Sequence, residues 1–203
     1  MAARLAPSAE TISFEEFLAT VDEDARVEWV NGEIVEMSPA TDRHAEITVF
    51  LTTLLNLFAK RRRLGRVVHA PFYMRAGPEA GAREPDVLFV RTENLGRIKK
   101  TYLDGPADLI VEVISPDSRG RDRGEKFYEY EAGGVGEYWI VDPLRNKLEV
   151  YRLGPGGYDV VLPDEDGRIR SEVMEGMWID PAWLRSEPLL DEWWVLEKEW
   201  GLI

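Results

Sequence analysis

Two stretches constrain this fold more than any other: DLIVEVIS at 108–115 and YWIVD at 138–142. Each is a nearly continuous apolar run of strand length, the pattern of a central strand covered on both faces. Between them an Arg- and Gly-rich loop leads into a helix that starts near Asp122 and stops at Gly133-Gly134. Covered strands with a helix between them need a sheet flanked by helices. One residue does not suit such a strand. Glu112 sits in the middle of the first run, and an isolated carboxylate there is costly unless it is paired, protonated or bound to a cation.

The rest of the chain fits around that unit. Ser13 and Glu16 form a capping box ahead of a short helix over 14–21. VEWVNGEIVEM reads as two strands around Asn31-Gly32, a type I′ hairpin signal. A long helix is expected over 42–63, with Ile47, Phe50, Leu51, Leu54, Leu55 and Phe58 as its apolar stripe and Gly65 as its stop. VVHAPFYMR at 67–75 and a loop with Gly77, Pro78 and Gly81 follow, then strands at 85–90, 147–153 and 158–162, and a Trp-rich helix at 191–200. The expected class is α/β (α+β): one mixed central sheet flanked by helices, an N-terminal hairpin and a C-terminal arm. A single domain over 1–203 suits this length, with an acidic, Trp-rich arm at 186–203 and no internal repeat.

Composition narrows the chemistry. Cysteine is absent and histidine occurs twice, so a metal site here must rest mainly on oxygen donors, which suits Mg²⁺ or Mn²⁺ better than Zn²⁺. No apolar run approaches the ~20 residues of a membrane span, and MAARLAPSAETISFEEF turns acidic too early for a secretory signal. A cytoplasmic protein is expected. The net charge of −13 argues against a nucleic-acid partner until its distribution is considered. Residues 1–41 carry 2 basic and 9 acidic side chains, and residues 154–203 carry 4 and 12, whereas the middle carries 19 and 17. Within that middle the basic groups cluster as KRRR at 60–63, which reads as a solvated helix end, and as Arg119, Arg121 and Arg123, close to Glu112.

Asp86, after Pro85, opens the strand PDVLFV. If its strand neighbours that of Glu112, the two carboxylates converge into a hard-cation site, and Lys126 could reach it. The competing reading pairs Glu112 with Arg119 or Arg123 and merely ties down the loop. Asp122, Lys126 and Tyr130 recur at i, i+4 and i+8 and share one helix face.

The stretches EPDVLFV and DLIVEVISPDSRGRDRGEKFYEYEAGGVGEYWIVDP resemble the Uma family of putative restriction endonucleases, formerly a domain of unknown function, in the PD-(D/E)xK nuclease superfamily. The resemblance runs over 13–185 and is most specific at 108–143. It implies a restriction-endonuclease-like core and a divalent-metal-dependent endonuclease that hydrolyses phosphodiester bonds in DNA. Pro85-Asp86 matches the PD, and Glu112 matches the D/E. The lysine two residues further on is absent, since position 114 is Ile, and Lys126 takes that part from the following helix. Asp86, Glu112 and the Val113 carbonyl would hold Mg²⁺ or Mn²⁺, with Glu46 of the long helix as a further ligand, unless it is a first-turn glutamate serving the helix dipole. His44, Asp122 and Tyr130 would support the site, and Arg119, Arg121 and Arg123 would contact nucleic acid. Two other readings stay open: an inactive nuclease fold that binds nucleic acid or protein, and a glycosidase-like carboxylate pair. The tryptophans of the tail suit packing or a subunit interface, so a homodimer or higher homo-oligomer is expected.

Overall fold

The computed structural model describes residues 11–22, 25–77, 80–115 and 118–203; Pro78 of the expected loop lies outside them. Helix α1 (Phe14–Thr20) begins at the expected capping box, with Glu16 N–H donating to Ser13 Oγ at 3.2 Å and Ser13 N–H to Glu16 Oε2 at 2.8 Å. Strands β1 (Val27–Val30) and β2 (Glu33–Glu36) join through Asn31 and Gly32, whose φ values of 52° and 85° are those a type I′ turn needs. Helix α2 (Asp42–Arg62) buries the whole expected stripe. Its stop differs from expectation. Arg63, at φ 55°, makes the left-handed cap, while Gly65 starts β3 (Gly65–His69). There a Cβ would lie 2.0 Å from the Val90 carbonyl oxygen, so glycine serves a close strand approach and not the helix end.

Strands β4 (Tyr73–Arg75), β5 (Ala82–Arg83), β6 (Val87–Arg91), β7 (Tyr102–Asp104) and β8 (Leu109–Val113) follow. Next come the one-turn helix α3 (Arg119–Asp122), helix α4 (Glu125–Gly133) and strand β9 (Glu137–Asp142). Strands β10 (Lys147–Gly154) and β11 (Gly157–Val161) extend the sheet, and β12 (Ile169–Arg170) pairs with β13 (Trp178–Ile179). The central sheet runs β11-β10-β9-β8-β6-β3; only β8 and β9 are parallel, which makes it mixed. Every residue of β8 and β9 is buried, as their apolar sequences require.

The central sheet is mixed as expected, but among the described residues it is one of three. The hairpin belongs to a second sheet, β2-β1-β5-β4-β7. VVHAPFYMR crosses between the sheets, its first half in β3 and its last three residues in β4. Pro71 lies at the crossing, where a residue without an N–H ends a ladder.

One face of the central sheet packs on α2 through Val87, Phe89, Val111, Trp139 and Val141. The other face, with Leu88, Ile110, Tyr138 and Ile140, packs with Tyr130 of α4 and Met74 and Leu103 of the second sheet. The C-terminal segment, including α5 (Glu192–Trp194), closes the first face. Trp200 stands edge-on to Phe58 at 5.1 Å and donates its indole N–H to the Trp178 carbonyl at 3.0 Å. Trp193 and Trp194 remain exposed.

Candidate functional site

The register of β6 and β8 brings the two carboxylates together. Val87 pairs with Val111 and Leu88 with Ile110, so one step further sets Asp86 opposite Glu112 on the face that looks toward α4. Asp86 Oδ2 accepts the Val113 N–H at 2.7 Å. The same oxygen lies 3.1 Å from His44 Nε2; because an ionised carboxylate only accepts, that nitrogen carries the proton. Thus α2 supplies His44 as a brace for Asp86.

Glu112 is 4% exposed. Its Oε1 accepts both the Lys126 ammonium at 2.9 Å and the Tyr130 hydroxyl at 2.8 Å. Lys126 and Tyr130 lie one turn apart on α4 and reach the same oxygen, as their spacing predicts. Asp122 ends α3, which is separate from α4, yet its Oδ1 is still 3.7 Å from the ammonium. Burial pushes the Glu112 carboxyl up to about 8; Lys126 opposes the rise, and Asp122, Asp86 and Glu28 add to it. Burial raises Asp122 as well, again against Lys126. For Lys126 burial acts to lower the value, but Glu112, Glu28 and Asp122 outweigh it and hold the ammonium well above the ordinary lysine range.

Asp86, Glu112, Asp122 and Lys126 line a cleft of about 40 Å³, together with Val113, His44, Arg121 and Glu84, on the order of three water-sized groups. Four acids meet Arg26, Arg121, Lys126 and His44 there, and both oxygens of Asp122 are buried without a hydrogen-bond donor. The Ser118 hydroxyl, which pulls Asp122 down against burial, also donates to the Ser115 carbonyl at 3.4 Å. A buried carboxylate with neither oxygen hydrogen-bonded fits a cation. Among the described residues no three acidic or histidine side chains are spaced to cage a metal unaided.

The remaining expected residues divide. Arg121 lines the cleft. Arg119 and Arg123 do not pair with Glu112; they hold the buried Asp142 at 3.1 and 3.0 Å, and Arg123 also holds Glu149 at 2.9 Å. Their first role is to tie the loop to β9 and β10. Glu46 is corrected too: it is exposed, pairs with Arg43 at 3.1 Å and stays out of the cleft. Two residues from His44 along a helix, it points away from what His44 faces.

Three charged residues were not anticipated. Glu28, fully buried on β1, lies 3.0 Å from Lys126 and 3.1 Å from Arg83. Burial tends to raise Glu28, but Lys126 and Arg83 bring it below the carboxylate norm. Glu84 sits on the cleft wall, and burial pushes it up to about 7, against the pull of Arg26. The sequence did carry one signal: Glu28 stands between Val27 and Trp29, as Glu112 stands between valines.

A family profile described as "Uma2: Putative restriction endonuclease" matches residues 14–182. Among solved structures, the chain is similar to a putative nuclease belonging to DUF820 from Anabaena variabilis ATCC 29413. The TM-score is 0.70 at 18% identity, over 86% of this chain and 97% of that one, and the likeness is one of fold. No curated protein matches.

Proposed function

The chain belongs to the Uma2 family of putative restriction endonucleases, and from that premise we propose that it is a divalent-metal-dependent endonuclease hydrolysing phosphodiester bonds in DNA. One observation carries the reading. Asp86 and Glu112 stand opposite each other and line one cleft with the Lys126 ammonium.

Asp86, Glu112 and the Val113 carbonyl would hold Mg²⁺ or Mn²⁺, with Asp122 close by. Bound there, the ion would supply Lewis-acid stabilisation of phosphate charge and a more acidic water. His44 keeps Asp86 aimed at the cleft. Lys126, fixed as a cation between acids, neutralises a non-bridging phosphate oxygen and is no general base. Arg121, on the cleft wall, meets the phosphate backbone. Trp193 and Trp194 join copies into a homodimer or larger homo-oligomer, and the setting is cytoplasmic. No helix among the described residues is long and apolar enough to cross a membrane.

The test is nicking of supercoiled plasmid, with linear and single-stranded DNA alongside, in Mg²⁺ or Mn²⁺, for wild type, Glu112→Ala and Lys126→Ala. Metal-dependent nicking lost in both variants supports the reading; nicking equal in all three overturns this site. The second reading, an inactive nuclease fold that binds nucleic acid or protein, is favoured by Ile114 at the usual lysine position. Wild type that neither cleaves any substrate nor takes up Mn²⁺ in calorimetry selects it.

A further inference from the structure

We propose that Glu28 is the positioning residue for Lys126: a closed ring of ion pairs through the N-terminal hairpin holds the ammonium beside Glu112 and off the cation's place. The proposal rests on the nuclease reading.

Lys126 arrives on a helix, at the end of a flexible four-carbon stem whose many rotamers must be restricted for a defined position. Its ammonium is held by two carboxylates, Glu112 Oε1 at 2.9 Å and Glu28 Oε1 at 3.0 Å. Glu28 is held in turn. Its Oε1 accepts the Glu84 N–H at 3.2 Å, and its Oε2 accepts Arg83 at 3.1 Å. Arg83 donates from Nε and Nη2 to Glu129 Oε2 at 2.8 and 2.6 Å.

Glu129 stands on α4 one turn beyond Lys126, so the ring closes: α4 to β1, β1 to β5, and β5 back to α4. The helix is gripped twice on one face, which sets its rotation. Lys126, Glu28 and Arg83 are all at least nine-tenths buried. Buried ion pairs are a weak source of net stability, but a closed ring of them defines geometry. Without Glu28 the nearest acids left to the ammonium are Glu112 and Asp122, both on the cleft wall. The lysine would then compete there with the metal.

The test compares wild type, Glu28→Gln and Glu28→Asp by three measurements: ¹⁵N NMR of the Lys126 ammonium, Mn²⁺ titration without DNA, and steady-state nicking. In Glu28→Gln the expected results are a shifted or exchange-broadened ammonium signal and Mn²⁺ affinity lower by roughly tenfold. Its kcat should fall about tenfold or more, with KM for DNA within twofold. Glu28→Asp, which keeps the charge, should recover part of each loss. If Glu28→Gln does not fold, Glu28→Asp decides, because withdrawing the carboxylate by one methylene should still shift the signal and lower kcat. Variants whose ammonium signal, Mn²⁺ affinity and kcat all stay within twofold of an active wild type overturn this proposal alone. A wild type that neither binds Mn²⁺ nor nicks overturns the nuclease reading beneath it.

Discussion

Neighbouring central strands each bury a glutamate, and the two are treated in opposite ways. Glu137, at the start of β9, has both oxygens bonded: Oε2 accepts the Trp139 indole at 3.2 Å and the Ser171 hydroxyl at 2.9 Å, and Oε1 accepts the Glu172 N–H at 2.7 Å. Its hydrogen bonds all come from neutral donors on the α2 side of the sheet, with Arg152 3.6 Å from Oε1, and they tie residues 171–173 to β9. Glu112, toward the far end of β8 on the opposite face, takes both its donors on Oε1. Among the described residues Oε2 has none, and the residue lines the cleft. Burial alone therefore does not mark a functional carboxylate. On the proposed reading the distribution of its donors does, because an oxygen left open at a cavity is one that an external cation could use.

The widest separation should come from neutralising each in turn. Glu112→Gln should lower metal-dependent nicking by roughly 10²-fold or more while the protein stays folded by circular dichroism. Glu137→Gln should leave the rate per folded molecule within about twofold but cost about 1–3 kcal/mol in urea unfolding, because a donating amide faces donors. Loss of nicking in a fully folded Glu137→Gln protein would break the comparison.

A second outcome concerns pH. The folded-state value of Glu112, about 8, lies above the ordinary 4.5, so the unfolded chain releases this proton first. Its stabilising contribution is complete below about pH 4.5 and is lost as the pH rises to about 8. In metal-free protein, the stability of wild type minus that of Glu112→Gln should fall across this window, followed by urea titration at several pH values. A flat difference would mean that Glu112 is ionised throughout.

Smaller effects belong to the loop and helix charges. Arg123→Gln removes ties to Asp142 and Glu149. It should cost about 1 kcal/mol with Mn²⁺ affinity unchanged in calorimetry. Glu46→Gln breaks an exposed pair with Arg43 and should change stability by no more than about 0.5 kcal/mol, with nicking rates within twofold. A larger loss of activity there would return Glu46 to the metal site.

The site was legible in sequence where chemistry contradicted its own strand. Glu112 stood out because its neighbours are Val111 and Val113, and Lys126 and Tyr130 because they share a helix face. Asp86 followed from the start of the next apolar run. Glu28 carried the same signal more weakly, since in a short hairpin an acid between apolar residues also reads as the solvent side of an alternating strand. What buries it is the second sheet meeting α4, and no local pattern encodes that meeting. The second sheet was not legible for the same reason. VVHAPFYMR looks continuous, and only the pairing partners of its two halves reveal that they separate. Glu46 was named from its place on the first long helix, where it instead pairs with Arg43 at the surface.

The placement of the lysine has one more consequence. In a strand that carried both its carboxylate and its lysine, the two would be neighbours as soon as the strand was extended. Here Glu28, Asp86, Glu112 and Lys126 come from four separate stretches of chain, and they meet only when α4 docks between two sheets. The proposed chemistry thus depends on the whole fold and not on any one segment. A partly folded chain would hold every residue of the site and none of its geometry.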